Sequence, residues 1–215
     1  KSVSLTAIVA SVVLAHPERY SEYATNLFKT IELFHWDNMR SFDESLLAST
    51  YGLSHGHYLE WIIQERAETL NQAFRKKSLE ALCVEYQYTR SSNTDEEEHN
   101  KLIKEIHTVC DKHYNDIQTL SDGEEKRTKL ILLHRLDRRK HNPQCSEISE
   151  GILIDMNPQL PDELKRFSEE SNNNFREQTR SGHLWIWCSK KFDGEDVSVY
   201  QQYEEEPLKA IEDAK

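Results

Sequence analysis

Three potential metal ligands stand close together in the middle of the chain: His107, Cys110 and His113. They follow one another at i, i+3 and i+6 in a segment of helical periodicity, so their side chains fan over about 120° of the helix circumference. Zinc sites use tighter spacings or draw their ligands from two elements. We therefore expect Cys110 in the core, with the two histidines at its polar boundary. His55 and His57 likewise lack a third ligand, and the sequence predicts neither a metal nor another cofactor.

A second group of residues has the chemistry needed for acid–base catalysis. His134, Asp137 and His141 are spaced i, i+3 and i+7, which places them on one face if a single helix contains all three. The glycine-rich nucleotide loops are absent from the sequence. A helical enzyme built on these dispersed residues is therefore the alternative to a non-catalytic function.

The most pronounced charge feature is a basic stretch at residues 124–144. It contains seven Lys or Arg and three acidic residues, a local charge of +4 in a chain whose net charge is −11. Its C-terminal end carries the predicted contacts for an acidic protein partner, because a cationic surface would steer such a partner: Arg135, Arg138, Arg139 and Lys140. The same charges could instead favour the helix macrodipole and pair with the acidic helix predicted at 95–122, or contact nucleic acid.

Trp185 and Trp187 stand two positions apart in an apolar cluster. Residues at i and i+2 of a helix point in different directions, so one indole can pack inward while the other stays outward. An exposed indole is a typical interface anchor. Trp185 therefore joins the basic residues as a predicted partner contact, and burial of both indoles at the end of the helical array is the alternative.

The composition favours helices and a reducing environment. The 215 residues are 37% apolar and 30% charged, with only six Gly and five Pro, whereas turn-rich β proteins need more of both. The net charge opposes general binding to nucleic acid or anionic lipid. The four scattered cysteines do not form a dense disulfide scaffold, so a cytoplasmic location is expected. The apolar run Val3–Ala15 is either a signal peptide or, as we favour, a buried helix, and it is too short to span a bilayer.

Hydrophobic periodicity predicts a mainly α fold: an irregular array of antiparallel helical hairpins with one small β-hairpin. We distinguish a helical array at 1–90, a long helical pair at 91–144, and a hairpin with C-terminal helices at 145–215, together one continuous domain cut from a larger chain. After the apolar run 3–15, helices are predicted at 17–28, 41–49, 56–71, 74–88, 95–117, 124–140, 162–174, 181–192 and from 207 onward.

Local signals refine this prediction. The alternation of Ile152, Ile154 and Met156 predicts the β-hairpin at 145–156, and because an isolated hairpin is marginally stable it is expected to lie on helices. Two helix N-caps are predicted, Thr94 and a Ser41 that is spaced with Glu44 as a capping box. The bulky residues at 33–36 are expected to anchor the core.

Several segments follow one another in a recognisable order. The junction Ala15-His16-Pro17-Glu18 follows an apolar helix, then come the nine residues at 133–141, Gly151–Ile154, Asn157-Pro158 and finally the segment 203–215. This order resembles the C-terminal part of large bacterial STAND-type NTPases linked to antiphage defence. In that family the nucleotide site and the effector lie upstream, while the C-terminal helical array recognises a foreign protein and keeps the NTPase inactive until it does. No P-loop is present here, so the resemblance implies a sensor or scaffold fragment.

We therefore expect a non-enzymatic protein-recognition segment of a larger cytoplasmic NTPase, which senses a foreign protein such as one from a phage. The expected partner is a protein, and neither nucleic acid nor a membrane is expected. The alternatives are a helical enzyme that uses His134, Asp137 and His141, and nucleic-acid contact through the basic helix at 124–140.

Overall fold

A computed structural model describes residues 3–50, 65, 68–69, 72–90, 94–148, 151–194, 203 and 208. Over these residues the chain is mainly helical with one two-stranded antiparallel sheet, which confirms the predicted fold class. The predicted helices at 56–71 and after Pro207, with His55 and His57, lie largely or wholly outside the described residues. The elements are α1 (Val3–Ala15), α2 (Ser21–Phe28), α3 (Ile31–Thr50), α4 (Ala73–Lys76), α5 (Leu79–Tyr88), α6 (Glu96–Gln118), α7 (Glu124–Leu136), a 3₁₀ turn (Arg138–Lys140), β1 (Gln144–Ile148), β2 (Gly151–Asp155) and α8 (Asp162–Asp193).

The hydrophobic core is organised around α6, which packs against α2, α5 and α7. Its apolar stripe, which includes Ile106, Cys110 and Ile117, is buried together with residues of the neighbouring helices. Phe28 and Phe34 stack in the same core, with their ring centroids 5.5 Å apart. The apolar stripe of α6 faces the core, and the charged residues of the helix lie on its other faces.

Helix α1 forms where the apolar run predicts it, but it is not buried on all sides. Val13 and Leu14 at its C-terminal end belong to the core, whereas Leu5 and Ile8 are exposed. The reason is that α2, α4 and α5 pack against α1 and leave its other side uncovered by described residues. Among the described helices, none combines the length and the hydropathy that crossing a membrane requires.

The predicted capping box at Ser41 is wrong, because α3 runs without a break from Ile31 to Thr50. Residues 31–40 contain no glycine or proline, so nothing ends the helix before Ser41. The Glu44 carboxylate instead pairs with Arg40 of the same helix at 2.6 Å and with Arg75 of α4 at 3.0 Å.

The single helix predicted at 74–88 is divided into α4 and α5 by extended backbone at Lys77 and Ser78. Residues of α3 satisfy the backbone groups that this break exposes. Asp37 Oδ2 accepts a 2.6 Å hydrogen bond from the backbone N–H of Leu79, and Arg40 Nη2 donates to the carbonyl of Lys77 at 2.9 Å. Ser78 caps α5 locally, since its hydroxyl accepts a 3.1 Å hydrogen bond from the backbone N–H of Ala81. The contacts from α3 satisfy the other backbone groups at the break.

Two further helix boundaries differ from prediction. The N-cap of α6 is Asp95, whose side chain accepts a 2.7 Å hydrogen bond from the backbone of Glu98, and not Thr94. The helices predicted at 162–174 and 181–192 are one helix, α8, which ends where Gly194 adopts a left-handed conformation with φ 73°. Such a residue is a common helix stop because glycine has no Cβ to clash.

The β-hairpin forms near its predicted position, with Ile148 paired to Gly151. The prediction that it lies on helices is wrong for the described residues, because Cys145, Leu153 and Ile154 are all exposed and no described helix packs closely against either strand. Among the described residues, hydrogen bonds anchor it at its base. There Asn142 donates to the carbonyl of Asn157 at 3.1 Å, below the last pair of the ladder.

Candidate functional site

The basic helix predicted at 124–140 ends four residues early, at Leu136, and the reason is the next residue. The Asp137 carboxylate is fully buried and accepts hydrogen bonds from the backbone N–H of Arg139 at 3.0 Å and from its guanidinium at 2.8 Å. These bonds close a 3₁₀ turn over Arg138–Lys140. Since a buried carboxylate must be paired, this turn is a structural requirement of the fold.

The early end of α7 means that His134, Asp137 and His141 do not share one helix face. His134 Nδ1 lies 2.7 Å from the carbonyl oxygen of Gln159, and His141 Nε2 lies 3.0 Å from the carbonyl oxygen of Arg135. Each imidazole is therefore hydrogen-bonded to a backbone carbonyl of the same chain. Partial burial lowers the pKa of His134, the effect that desolvation has on a cation.

The predicted partner contacts in the basic stretch also have partners within the chain. Arg135 makes two 2.6 Å hydrogen bonds to the Glu80 carboxylate of α5, and Arg138 donates to the carbonyl of Gln87. Arg139 reaches Asp111 of α6 at 2.5 Å as well as Asp137. Lys140 lies over the ring of Tyr114, 5.9 Å from its centroid.

The pKa values of Arg139 and Asp111 reflect the ion pairs that Arg139 makes within the chain. Its hydrogen bonds to Asp137 and Asp111 raise the pKa of the guanidinium above its ordinary range. In return, the hydrogen bond from Arg139 lowers the pKa of Asp111. The cationic surface at 135–140 is therefore largely neutralised by carboxylates of α5, α6 and Asp137 itself, which leaves less uncompensated charge there than the sequence suggests.

The three potential metal ligands of α6 lie in different surroundings: Cys110 and His113 are buried, whereas His107 is partly exposed. His113 is buried and its Nε2 lies 2.8 Å from the carbonyl oxygen of Phe28 at the end of α2, so it is not at the polar boundary where it was predicted. Burial raises the pKa of the Cys110 thiol to about 12. Among the described residues, no group of three or more His, Cys, Asp or Glu is arranged to hold a metal ion.

Gln87 is a structural residue that sequence reasoning missed. Its side chain is completely buried, and its Nε2 donates to the carbonyl of Leu136 at 2.7 Å while its Oε1 accepts from the backbone N–H of Arg138 at 3.2 Å. It therefore spans the point where α7 gives way to the 3₁₀ turn. The available signal was its position, four residues after Cys83 on the apolar stripe of α5, where a polar side chain needs a buried partner.

A groove that the sequence did not predict lies between α3, α7 and α8. It encloses about 750 Å³, within the range of known ligand and peptide sites. Arg135 is the one member of the five predicted partner contacts that borders it. The lining residues are Ile31, Glu32, His35, Trp36, Asn38, Glu124, Glu125, Thr128, Lys129, Ile131, Leu132, Arg135, Phe167, Ser168, Ser171 and Asn172.

The floor of this groove is apolar and one of its walls is an exposed indole. Ile31 and Leu132 are buried beneath it, while 51% of the Trp36 surface is accessible. Three residues further along α3 is Met39, and after another three comes Phe42, which are both exposed. Phe42 meets Phe175 of α8 with ring centroids 5.9 Å apart, so the exposed apolar strip extends from the groove along both helices.

Charged residues border the groove with a surplus of carboxylates. Lys129 lies 2.8 Å from Glu125 and 3.1 Å from Glu32. Partial burial would raise the pKa of Glu32, but hydrogen bonds from its own backbone and from Lys129 outweigh it and lower that pKa. Glu32 is thus held ionised. The lining has three carboxylates, Glu32, Glu124 and Glu125, and two cations, Lys129 and Arg135, so its balance is one negative charge. Arg135 is paired with Glu80, which does not line the groove.

The two tryptophans of α8 point in different directions, as their spacing predicts. Trp185 is 52% exposed, and the ring of Trp187 lies 5.3 Å from that of Tyr203, which is buried. Trp185 does not line the groove. Within the part of the chain that the structure describes, Trp36 and Trp185 are thus two exposed indoles of nearly equal accessibility, one beside an apolar cavity and one outside it.

The chain was also compared with known proteins. Neither a protein-family model nor a curated protein matches it. The groove itself combines an apolar floor, an exposed indole and carboxylates at its rim.

Proposed function

We propose that the chain is a non-enzymatic protein-recognition module and that the groove between α3, α7 and α8 receives an amphipathic, basic helix of a partner protein. The observation that carries this proposal is Trp36, half exposed above the buried Ile31 and Leu132. A solvated indole beside an apolar floor loses little entropy and gains much apolar contact when a partner covers it. Exposed tryptophans are accordingly enriched among the residues that dominate binding energy.

The shape of the exposed strip supports a helix as the occupant. Trp36, Met39 and Phe42 follow one another every three residues, about 4.5 Å apart along the axis of α3. A partner helix presents apolar anchors with a similar rise at i, i+3, i+4 and i+7. Because residues at i, i+3 and i+6 fan over about 120° of a helix, a helix lying along the groove can contact Trp36 and Met39, whereas Phe42 lies further round α3 and meets Phe175 of α8.

The charges of the rim support a basic occupant. Glu124 and Glu125 stand exposed at the start of α7, and Lys129 of the same helix is already paired with Glu32 and Glu125. A Lys or Arg of the partner would find carboxylate oxygens with unused acceptor capacity. This differs from the acidic partner expected for residues 135–140, because the arginines of that stretch are paired within the chain.

The wider biological setting rests on the resemblance to STAND-type NTPases. We propose that the module is a sensor segment of a larger cytoplasmic NTPase and that the basic helix belongs to a foreign protein, such as one from a phage. The order of segments from Ala15 to Lys215 supports this setting. The groove supports the recognition function independently of it.

A random peptide library displayed on the surface of a carrier phage tests the proposal. The immobilised chain is compared with Trp36→Ala and with the matched control Trp185→Ala, which removes an equally exposed indole outside the groove. We expect the unsubstituted chain and the control to select the same peptides, which are helical with apolar anchors and flanking Lys or Arg, and Trp36→Ala to select none of them. Synthetic versions of these peptides should bind Trp36→Ala at least about tenfold more weakly.

Two outcomes would contradict the proposal. One is equal recovery of the same peptides by Trp36→Ala and the unsubstituted chain, which would place binding outside the groove. The other is selection of acidic peptides whose binding is lost in Arg135→Ala but retained in Trp36→Ala. That result would return the interface to the basic stretch at 135–140.

A further inference from the structure

The β-hairpin presents apolar side chains to solvent on both of its faces. Leu153 and Ile154 are adjacent in β2, and 54% and 51% of their surfaces are exposed. Successive residues of a strand point to opposite faces of the sheet, so neither face is covered at this level. An isolated two-stranded hairpin in water is only marginally stable, and this one has no described helix packed on it.

One edge of the hairpin also has backbone groups without a strand partner. Ile148 pairs with Gly151 across a two-residue connection, so these two residues share the turn hydrogen bond. Hydrogen-bonded and non-bonded pairs alternate along an antiparallel ladder. The N–H and C=O groups of Ile152 and Ile154 are therefore directed away from β1, and no other described strand lies beside them.

We propose that β2 pairs antiparallel with β2 of a second copy of this chain, about a two-fold axis at Leu153, to form a four-stranded sheet. In this register Leu153 lies opposite its own counterpart and Ile152 opposite Ile154. The outward groups of Ile152 and Ile154 then meet each other in two hydrogen-bonded pairs. This inference concerns a surface separate from the groove and does not depend on the proposed function.

The residue types of β2 suit this self-pairing. Its one charged residue, Asp155, lies opposite Gly151, so no two carboxylates face each other across the axis. Like charges directly opposite each other would destabilise the strand pair. The other edge is less suitable, because a two-fold axis at Ser146 of β1 would set Glu147 against Cys145. Pairing β1 with β2 of the next copy would leave an open edge at each end and build fibres instead of a closed dimer.

The small size of this interface determines how the dimer must be detected. Two paired strands of five residues bury less than the roughly 1,200 Å² of a stable interface. The dimer is therefore weak and exchanges rapidly. A covalent trap is the appropriate probe, and it has to report the register as well as the contact.

A single cysteine at the two-fold axis provides that trap. In a background with Cys145→Ser and Cys188→Ser, Leu153→Cys places two thiols on residues whose Cα atoms are about 4.5 Å apart in the proposed dimer, within the span of a disulfide. The matched control is Ser146→Cys, which is exposed and lies beside Leu153 in the hairpin. Its counterpart is three strand spacings away, about 14 Å, and cannot be bridged.

We expect mild oxidation to convert Leu153→Cys to a disulfide-linked dimer at least about ten times faster than Ser146→Cys. Equal rates would show that exposure alone governs the reaction, and no dimer from Leu153→Cys would show that the strands do not meet. Either result overturns the proposal.

A second measurement does not depend on cysteine substitutions. In sedimentation equilibrium, the mass of the unsubstituted chain should rise above the 25.3 kDa monomer as its concentration increases. Ile154→Pro should abolish this rise while leaving the circular dichroism unchanged, because it removes an N–H that faces the open edge and not β1. A mass that stays monomeric at every concentration, or a rise that persists in Ile154→Pro, would contradict the pairing of β2 edges.

Discussion

Gln87 Nε2 donates a 2.7 Å hydrogen bond to the carbonyl oxygen of Leu136, 49 residues further along the chain. This bond satisfies the last turn of α7 from inside the core, at the point where the helix gives way to the 3₁₀ turn. The same side chain accepts from the backbone of Arg138. The buried Gln87 amide therefore satisfies backbone groups at the end of α7 that a local capping residue would otherwise satisfy.

Gln87→Leu should be strongly destabilising although it fills a similar volume. It leaves the Leu136 carbonyl and the Arg138 N–H without this partner in the interior, at a cost of about 3 kcal/mol in the free energy of unfolding. Urea denaturation followed by circular dichroism measures it. Gln178→Leu, at an exposed position of α8, is the control and should change the free energy little. Equal effects of the two substitutions would show that the Gln87 bonds contribute nothing.

Arg139→Met should also destabilise the fold, because it leaves the fully buried Asp137 carboxylate without its guanidinium. Removing one partner of a buried pair typically costs about 3–5 kcal/mol, and the partial exposure of Arg139 places the expected loss near about 2 kcal/mol. Arg166→Met, on the exposed surface of α8, is the control in the same denaturation assay.

The triple reversal of Arg135, Arg138 and Arg139 to Glu distinguishes the two interpretations of the basic stretch. If these residues stabilise the fold through Glu80, Asp111, Asp137 and the Gln87 carbonyl, the variant should lose its thermal transition. A variant that melts like the unsubstituted chain would show that the internal pairs are dispensable and would favour a partner contact there.

Acidification should lower the free energy of unfolding between about pH 7 and pH 5. Burial lowers the pKa of His107 and of His134 below the ordinary value of 6.5. In this range the unfolded chain binds protons that the folded chain does not, so stability is present above pH 6.5 and is lost as the pH falls. His107→Leu should make the loss shallower, since His107 Nε2 is buried without a hydrogen-bond partner. An unchanged slope in His107→Leu would refute the assignment.

The four cysteines should divide into two reactive and two protected thiols. Cys145 and Cys188 are exposed, while Cys83 and Cys110 are buried, and burial raises the pKa of both buried thiols. An aromatic disulfide reagent should therefore modify two thiols in the native chain and all four in denaturant. The double variant Cys145→Ser, Cys188→Ser should show no rapid reaction. A fast reaction in that variant would mean that the core around Cys83 and Cys110 opens readily.

The parts of the fold that sequence predicted are those encoded locally. The helix α6 has an acidic first turn and an unbroken apolar stripe, and both signals lie within the helix itself. The division between α4 and α5 and the end of α7 were missed because each combines a local cap, Ser78 or Asp137, with contacts from residues distant in sequence. Asp37 satisfies the backbone at Leu79, and Gln87 with Asp137 ends α7, although residues 137–142 contain no glycine or proline.

The uninterrupted α8 shows the opposite error, in which a local signal was given too much weight. The three consecutive asparagines at 172–174 have poor helix propensity, but each costs less than about 1 kcal/mol relative to alanine. Once a helix is nucleated, propagation overcomes costs of this size. The candidate groove was not predicted for a further reason. Trp36, Leu132 and Phe167 come from three helices that only the tertiary fold brings together, and Trp36 was expected to be a core anchor.

The length of α8 has a mechanical consequence. Phe167 lines the groove and Trp187 touches Tyr203, and twenty residues of helix hold these two side chains about 30 Å apart. A helix is much stiffer in bending than a loop of equal length. By geometry, a rotation of one degree about Phe167 displaces Trp187 by about 0.5 Å. The helix therefore acts as a lever arm, which turns a small angular adjustment at one end into a measurable translation at the other.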